Sequence, residues 1–124
     1  MKAHFDAFGH LRAEIEVKGA AGSKVVSALI DTGFDGFLCL PIEIAIQLGL
    51  MLFAYEPFEL ADGSRKRELV FLGAAQFGEG PEAPVEIVLT ESKDTLIGLA
   101  MFSEMKLEAD FKKRSVKIAK SDDV

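Results

Sequence analysis

The sequence predicts a mainly β fold, a small closed, barrel-like β structure with one or two short helices. Three observations predict it. Apolar and polar residues alternate with a period of two through much of the chain. Turn signals built on glycine recur between the alternating runs. One segment alone combines helical spacing with a well-placed helix stop. Six to eight short strands follow from this pattern. A length of 124 residues suits one domain spanning residues 1–124, with a core of about 10–119 and a short tail at each end.

Each element has its own signal. In Leu11-Arg12-Ala13-Glu14-Ile15-Glu16-Val17-Lys18, apolar and charged residues alternate without a break, which gives one buried face and one wet face. Gly19 to Ser23 reads as a hairpin turn. Lys24 to Ile30 follows as a more continuously apolar strand that delivers the chain into Asp31-Thr32-Gly33. After the strand Phe37–Pro41, the spacing predicts a helix of about two turns, with Pro41 at its start, Gly49 at its C-cap, and Ile42, Ala45 and Ile46 on a shared face. Phe58 to Ala61 and Arg65 to Phe77 flank Asp62-Gly63-Ser64 as a hairpin with an Asp-Gly turn. Val85 to Leu89 is a strand. Asp94-Thr95-Leu96-Ile97-Gly98 brings a second buried strand to a glycine, an echo of Leu29-Ile30 before Asp31-Thr32-Gly33. Leu99 to Met105 reads as a short helix. Leu107–Phe111 and Val116–Ala119 form a final hairpin around the basic turn Lys112-Lys113-Arg114-Ser115, and Lys120 to Val124 reads as a frayed tail.

Composition narrows the function classes. Hydrophobic residues make up 49% and charged residues 27%, with 14 basic against 20 acidic side chains, a formal net charge of −6. That is the balance of an ordinary globular domain. Its negative sign argues against nucleic acid or an anionic membrane as main partner. The lone cysteine, Cys39, excludes an intramolecular disulfide and, between Leu38 and Leu40, reads as a buried inert thiol. The most apolar stretch, Phe37 to Tyr55, is interrupted by Pro41, Glu43 and Gln47 and reads as core, because a spanning helix needs about 20 mostly apolar residues. The start, Met1 to Asp6, lacks the apolar stretch of a secretory signal, so the expected location is the cytoplasm. His4 and His10 lack a ligand pattern, so no metal and no cofactor is expected.

An Asp-Thr-Gly triplet alone is weak, since chance supplies it in roughly two or three chains of this length in a hundred. Its context is stronger. It ends an apolar strand, where a loop emerges from the core, and Gly33 permits a tight turn and close approach of a ligand. Ala28-Leu29-Ile30-Asp31-Thr32-Gly33, the following strand and short helix, the Ala61-Asp62-Gly63-Ser64 hairpin, Leu96-Ile97-Gly98 and the two terminal strands come in one order. In that order and at those spacings the chain resembles the retropepsin-like (clan AA) aspartic proteases, in their bacterial, single-domain form. The resemblance implies the acid-protease fold. It makes Asp31, Thr32 and Gly33 the catalytic turn and the Ala61-Asp62-Gly63 hairpin a flap. Leu96-Ile97-Gly98 becomes the structural motif packed behind the turn.

Aspartic proteolysis needs two carboxylates that share one proton and hold a water between them. Only one Asp-Thr-Gly triplet is present, and Asp35-Gly36 and Asp62-Gly63 lack the intervening hydroxyl residue. The second carboxylate is therefore expected from a second copy, in a two-fold homodimer. The substrate is expected to be a peptide or protein that adds as an extended strand, contacted by Gly33, Asp35, Ala61, Asp62 and Gly63, with apolar pockets near Phe34, Leu60 and Leu99. The chain departs from the family after Gly98. Retroviral members carry an arginine there and many relatives an aspartate two positions on, but this chain has Leu99 and Ala100. The alternative function is a catalytically inactive member that binds peptide or dimerises, since a fold does not guarantee its chemistry.

Overall fold

The computed structural model describes residues 2–122. Six strands close a ring: β2 (Leu11–Gly19), β3 (Gly22–Ile30), β8 (Leu96–Ile97), β4 (Leu38–Pro41), β7 (Ala83–Thr90) and β6 (Arg65–Gln76), which returns to β2 through Glu16, Val17 and Lys18 against Gln76, Ala75 and Ala74. Outside the ring, β1 (Ala3–Phe5) pairs with β2 and β5 (Met51–Glu59) pairs with β6. The hairpin β9 (Met105–Asp110) with β10 (Ser115–Lys120) forms a separate two-stranded sheet, and β10 packs against β1.

The period-two signal of β2 explains the ring. Ala13, Ile15 and Val17 point inward and are fully buried, while Glu14 and Glu16 point out. Leu38, Leu40, Ile87 and Ile97 complete the barrel interior at 0% exposure. Each such Leu or Ile side chain contributes about 2 kcal/mol by leaving water. Two residues, Ala20 and Ala21, turn β2 into β3, with Gly19 facing Gly22. The echo between Leu29-Ile30 and Leu96-Ile97 is a physical pairing. The two dipeptides lie side by side as parallel strands, Leu29 against Leu96 and Ile30 against Ile97.

The helix α1 (Ile42–Leu48) ends where expected, on Gly49 with a left-handed φ of 63° and its N–H donating to the Ile46 carbonyl. Pro41 is the N-cap and still belongs to β4. Gly49 also touches the β2–β3 turn, where an added Cβ would lie 2.9 Å from Ala21 Cβ. Gly49→Ala is therefore expected to destabilise the fold by about 1–2 kcal/mol, through both φ and contact. A lowered urea midpoint with an unchanged m-value would show it.

Two expectations about apolar residues need correction. The helix buries Ile44, Ala45 and Leu48 together with Pro41, while Ile42 and Ile46 face solvent, Ile46 at 74% exposure. The stripe spaced i, i+3, i+4, i+7 thus begins at Pro41 and not at Ile42. The stretch Phe37–Tyr55 is core only in its first half. Met51, Leu52, Phe53 and Tyr55 are all more than half exposed, because β5 pairs with β6 alone and lies outside the closed ring. β5 begins at Met51, earlier than the sequence pattern suggests, and carries an irregularity between Leu52 and Ala54. The 3₁₀ turn Leu99–Phe102 is shorter than the expected helix. β1 was not foreseen in the polar N-terminal segment. Of the expected terminal tail, residues 123–124 lie outside the described residues. No described helix is long and apolar enough to cross a membrane.

Candidate active site

The Asp31-Thr32-Gly33 turn is fastened from behind by main-chain hydrogen bonds. Leu29 N–H donates to the Thr95 carbonyl at 2.8 Å and Asp31 N–H to the Ile97 carbonyl at 2.9 Å. Past Gly98 the direction of support continues: Gly98 N–H reaches the Phe37 carbonyl at 2.9 Å, Leu99 N–H the Phe34 carbonyl at 2.8 Å, and Ala100 N–H the Gly36 carbonyl at 3.2 Å. Five bonds thus tie residues 29–37 to residues 95–100. Gly98 is what lets the two segments approach. A Cβ there would overlap the Gly36 carbonyl oxygen and come within 2.7 Å of the Phe34 carbonyl oxygen. Its φ of −94° is ordinary, so the demand is for space and not for a left-handed backbone.

Within the turn, Gly33 N–H donates to Asp31 Oδ1 at 2.9 Å, and Phe34 N–H donates to the Asp31 carbonyl at 3.1 Å. The Asp31 carboxylate is half-buried, with Thr32 and Gly33 exposed beside it. The Gly33 N–H fixes one carboxylate oxygen and leaves the other open, which suits a group that has to meet a water and a second acid. Among the described residues no other carboxyl is hydrogen-bonded to Asp31. Asp35, two residues on, is exposed and makes no ion pair among the described residues.

The Ala61-Asp62-Gly63 hairpin is an arm. Residues Arg65–Val70 of β6 pair with β5 only, and β7 joins from Phe71 onward. At the tip, Leu60 N–H donates to the Ser64 carbonyl and Gly63 N–H to the Leu60 carbonyl, with Gly63 at φ 86°. This is a three-residue loop closed by a left-handed glycine, in place of a two-residue Asp-Gly turn. Hydrogen bonds from the Ser64 hydroxyl and N–H to Asp62 Oδ1 hold the Asp62 carboxyl below the usual carboxylate range. Ala61, Asp62 and Gly63 are all exposed, and among the described residues none is hydrogen-bonded to the Asp31 turn. A two-stranded arm without a third strand is marginally stable by itself and free to move.

One cluster near this end was not singled out from sequence. Asp6 accepts hydrogen bonds from Phe8 N–H and His10 N–H, both at 2.9 Å, and from Arg12 Nε at 2.9 Å; Arg12 Nη2 also reaches Asp94 Oδ1 at 3.3 Å. Arg12 faces Leu29 across the β2–β3 pair, so the network lies beside the strand that leads to Asp31. Its members are 88 positions apart in sequence at the extremes, and no local pattern announces them. The His10 N–H and then the Arg12 guanidinium lower the Asp6 pKa from 3.8 to about 2. A carboxyl depressed by folding stabilises the native state above its unfolded pKa, and that contribution fades as pH falls from 3.8 toward 2. Asp6→Asn should therefore lower stability at neutral pH and flatten the acid limb of the pH–stability curve, which denaturant midpoints measured across that range would reveal.

The Cys39 thiol is buried, and burial followed by the nearby Glu68 carboxylate pushes it up to about 11, as an inert thiol requires. His4 and His10 are exposed, and the described residues hold no cluster of three metal-ligating side chains.

No family model matches the chain, and no curated protein matches it in sequence. Among solved structures, the crystal structure of a retropepsin-like aspartic protease from Rickettsia conorii matches with a TM-score of 0.60 at 16% identity, over 94% of this chain and 86% of that one. With the ring of strands, the strap behind the Asp31 turn and the projecting arm all in place, the chain has the retropepsin-like aspartic-protease fold.

Proposed function

We propose that the chain is an aspartic endopeptidase that works as a homodimer, with one Asp31 from each copy in a single active site. The observation that supports it best is the strapped Asp31 turn, a half-exposed carboxylate with one oxygen fixed by the Gly33 N–H and the other open. In the proposed dimer two such turns meet on the two-fold axis. Like charges so close cannot both ionise, so the pair holds one proton and titrates as a unit.

The ionised carboxylate takes a proton from the bound water while the water oxygen attacks the peptide carbonyl carbon. The protonated carboxyl gives its proton to the carbonyl oxygen, producing a neutral gem-diol. A proton then passes to the amide nitrogen, the C–N bond breaks, and the acid and amine products leave. Two carboxylates and a water suffice, so the reading requires neither metal nor cofactor. Asp35 and the arm tip Ala61-Asp62-Gly63 would hold the substrate backbone, and closing the arm would exclude water. The absence of an arginine or aspartate after Gly98 means that Asp35 is left for substrate and not committed to an ion pair. The proposed location is the cytoplasm, and the proposed extent of the domain is the whole of 1–124.

The test is cleavage of an unstructured polypeptide by purified protein at mildly acidic pH. Activity per chain should rise with protein concentration until dimerisation saturates. A dimer, established by sedimentation, that cleaves nothing between pH 3 and 8 would contradict the reading and leave a peptide-binding module.

A further inference from the structure

Between helix α1 and the root of the arm lies an open notch of about 250 Å³, lined by Ala45, Ile46, Gly49, Leu50, Phe71 and Leu89, none of them polar. Phe71 sets the face to which the notch belongs. Residues opposite each other in an antiparallel pair, and residues two apart on one strand, point to the same side of a sheet. Leu52 lies opposite Phe71, Leu69 stands two residues before Phe71, and Tyr55 lies opposite Leu69. The face that holds Phe71 at the notch therefore continues outward along the arm through Leu52, Leu69 and Tyr55. Ile46 of α1 stands beside it, and Ile42 lies one helical turn before Ile46.

These side chains face solvent. Ile46 is 74% exposed, Leu52 and Tyr55 are 58% each, Leu69 46% and Ile42 40%. At those fractions the five leave roughly 500 Å² of apolar surface in water, toward the upper end for the largest patch on a typical monomer. Protein contacts are about 60% apolar, so one built around this face spans about 800 Å² per copy, the size of a specific, stable interface. The face is also self-complementary in shape. It carries a knob, Ile46, and beside it a hole with room for a branched side chain, since an apolar cavity of about 150 Å³ already holds a benzene ring. A two-fold contact requires knob and hole on one surface. We propose that this face binds a second copy of itself about a two-fold axis, with Ile46 of each copy entering the notch of the other.

This contact is separate from the pairing of two Asp31 turns and does not depend on it. Neither the Asp31-Thr32-Gly33 turn nor the segment 95–100 that straps it lines the notch. Chains that make both contacts assemble in fours or more, and chains that make only this one stop at two. The root of the arm, Leu52 and Tyr55 with Leu69 and Phe71, is braced by the second copy, while the tip at Ala61-Asp62-Gly63 lies farther out along the hairpin.

Tyr55 is the single tyrosine of a chain without tryptophan, so the intrinsic fluorescence of the full chain reports on this face alone. Acrylamide quenching of that fluorescence should weaken as protein concentration rises, in step with an increase in mass by sedimentation equilibrium. Ile46→Glu should halve the mass of the assembly and hold quenching at its dilute-solution value. Its association constant should fall about 30-fold or more, the scale of a residue at the centre of an interface. Ile46 is exposed, so the variant should fold, checked by denaturant midpoint; should it not, Leu69→Gln should act the same way. Val25→Gln removes an exposed apolar side chain of β3 outside this face and should change neither reading. Quenching that is independent of concentration, an Ile46→Glu mass equal to that of wild type, or the same loss in Val25→Gln overturns the proposal. A partner other than a second copy would give the first two of these results. Peptide cleavage plays no part in the readout, and Asp31→Asn protein should associate through this face as wild type does, so failure here leaves the protease reading standing.

Discussion

Asp31→Asn is expected to eliminate peptide hydrolysis, with a loss of at least about 10⁴-fold, the scale seen when one member of a catalytic unit is removed. The substitution is close to isosteric. The introduced amide oxygen can still accept from Gly33 N–H, and the main-chain bond from Asp31 N–H to the Ile97 carbonyl does not depend on the side chain. Fold and dimerisation should therefore persist, checked by denaturant midpoint and sedimentation, while activity disappears. The two-fold reading adds a sharper consequence. A mixed dimer of one wild-type chain and one Asp31→Asn chain has a single carboxyl at the axis and cannot divide acid and base between two groups. Excess variant chain added to wild type should suppress activity toward the fraction of chains still paired with their own kind. Undiminished cleavage by the variant would remove Asp31 from the mechanism.

The second large effect is on stability. Gly98→Val should destabilise the chain by more than about 3 kcal/mol, in the class of overpacked cores whose neighbours cannot yield. The obstacle at Gly98 is backbone: the added Cβ would overlap the Gly36 carbonyl oxygen and sit 2.7 Å from the Phe34 carbonyl oxygen. Those oxygens accept the Ala100 and Leu99 N–H groups, so moving them breaks the strap that holds Asp31. Gly63 supplies the contrast. Nothing lies within 4 Å of an added Cβ there, and only its φ of 86° resists substitution, so Gly63→Ala should cost about 1 kcal/mol. Urea titrations of both variants should separate them clearly. A Gly98→Val stability within about 1 kcal/mol of wild type would show that the strap contributes little.

The parts of this fold that were legible in sequence are those where a local pattern and the tertiary structure agree. The alternation in Leu11–Lys18 marks β2 because one face of that strand closes the barrel, with Ala13, Ile15 and Val17 buried. Gly49 stops the helix because its φ of 63° is a local demand that few residues other than glycine meet at low cost. The likeness of Leu29-Ile30 to Leu96-Ile97 was visible as a repeat, but the parallel pairing that brings them together was not, since register across so long a separation leaves no local trace. Apolarity misled where position in the sheet overrode it. Met51, Leu52, Phe53 and Tyr55 look like core and are exposed because β5 is the outer strand beyond β6. The Asp6–Arg12–Asp94 network was illegible for the opposite reason. Charged residues on an outward strand face and in a loop are ordinarily solvated, and only the fold brings these three together.

The Asp31-Thr32-Gly33 triplet was legible as a motif, and the structure shows how it is held. One chain positions a single carboxylate with an open oxygen and provides no second carboxyl hydrogen-bonded to it among the described residues. The proposed activity therefore needs a symmetric pair, and its most direct test is the separation of the two Asp31 carboxylates in a crystal structure of the protein in its solution assembly. The expected result is a two-fold dimer with carboxylate oxygens of the two copies about 2.5–3.0 Å apart, within reach of a shared proton. A monomer, or a dimer that holds the two Asp31 side chains far from each other, would contradict it.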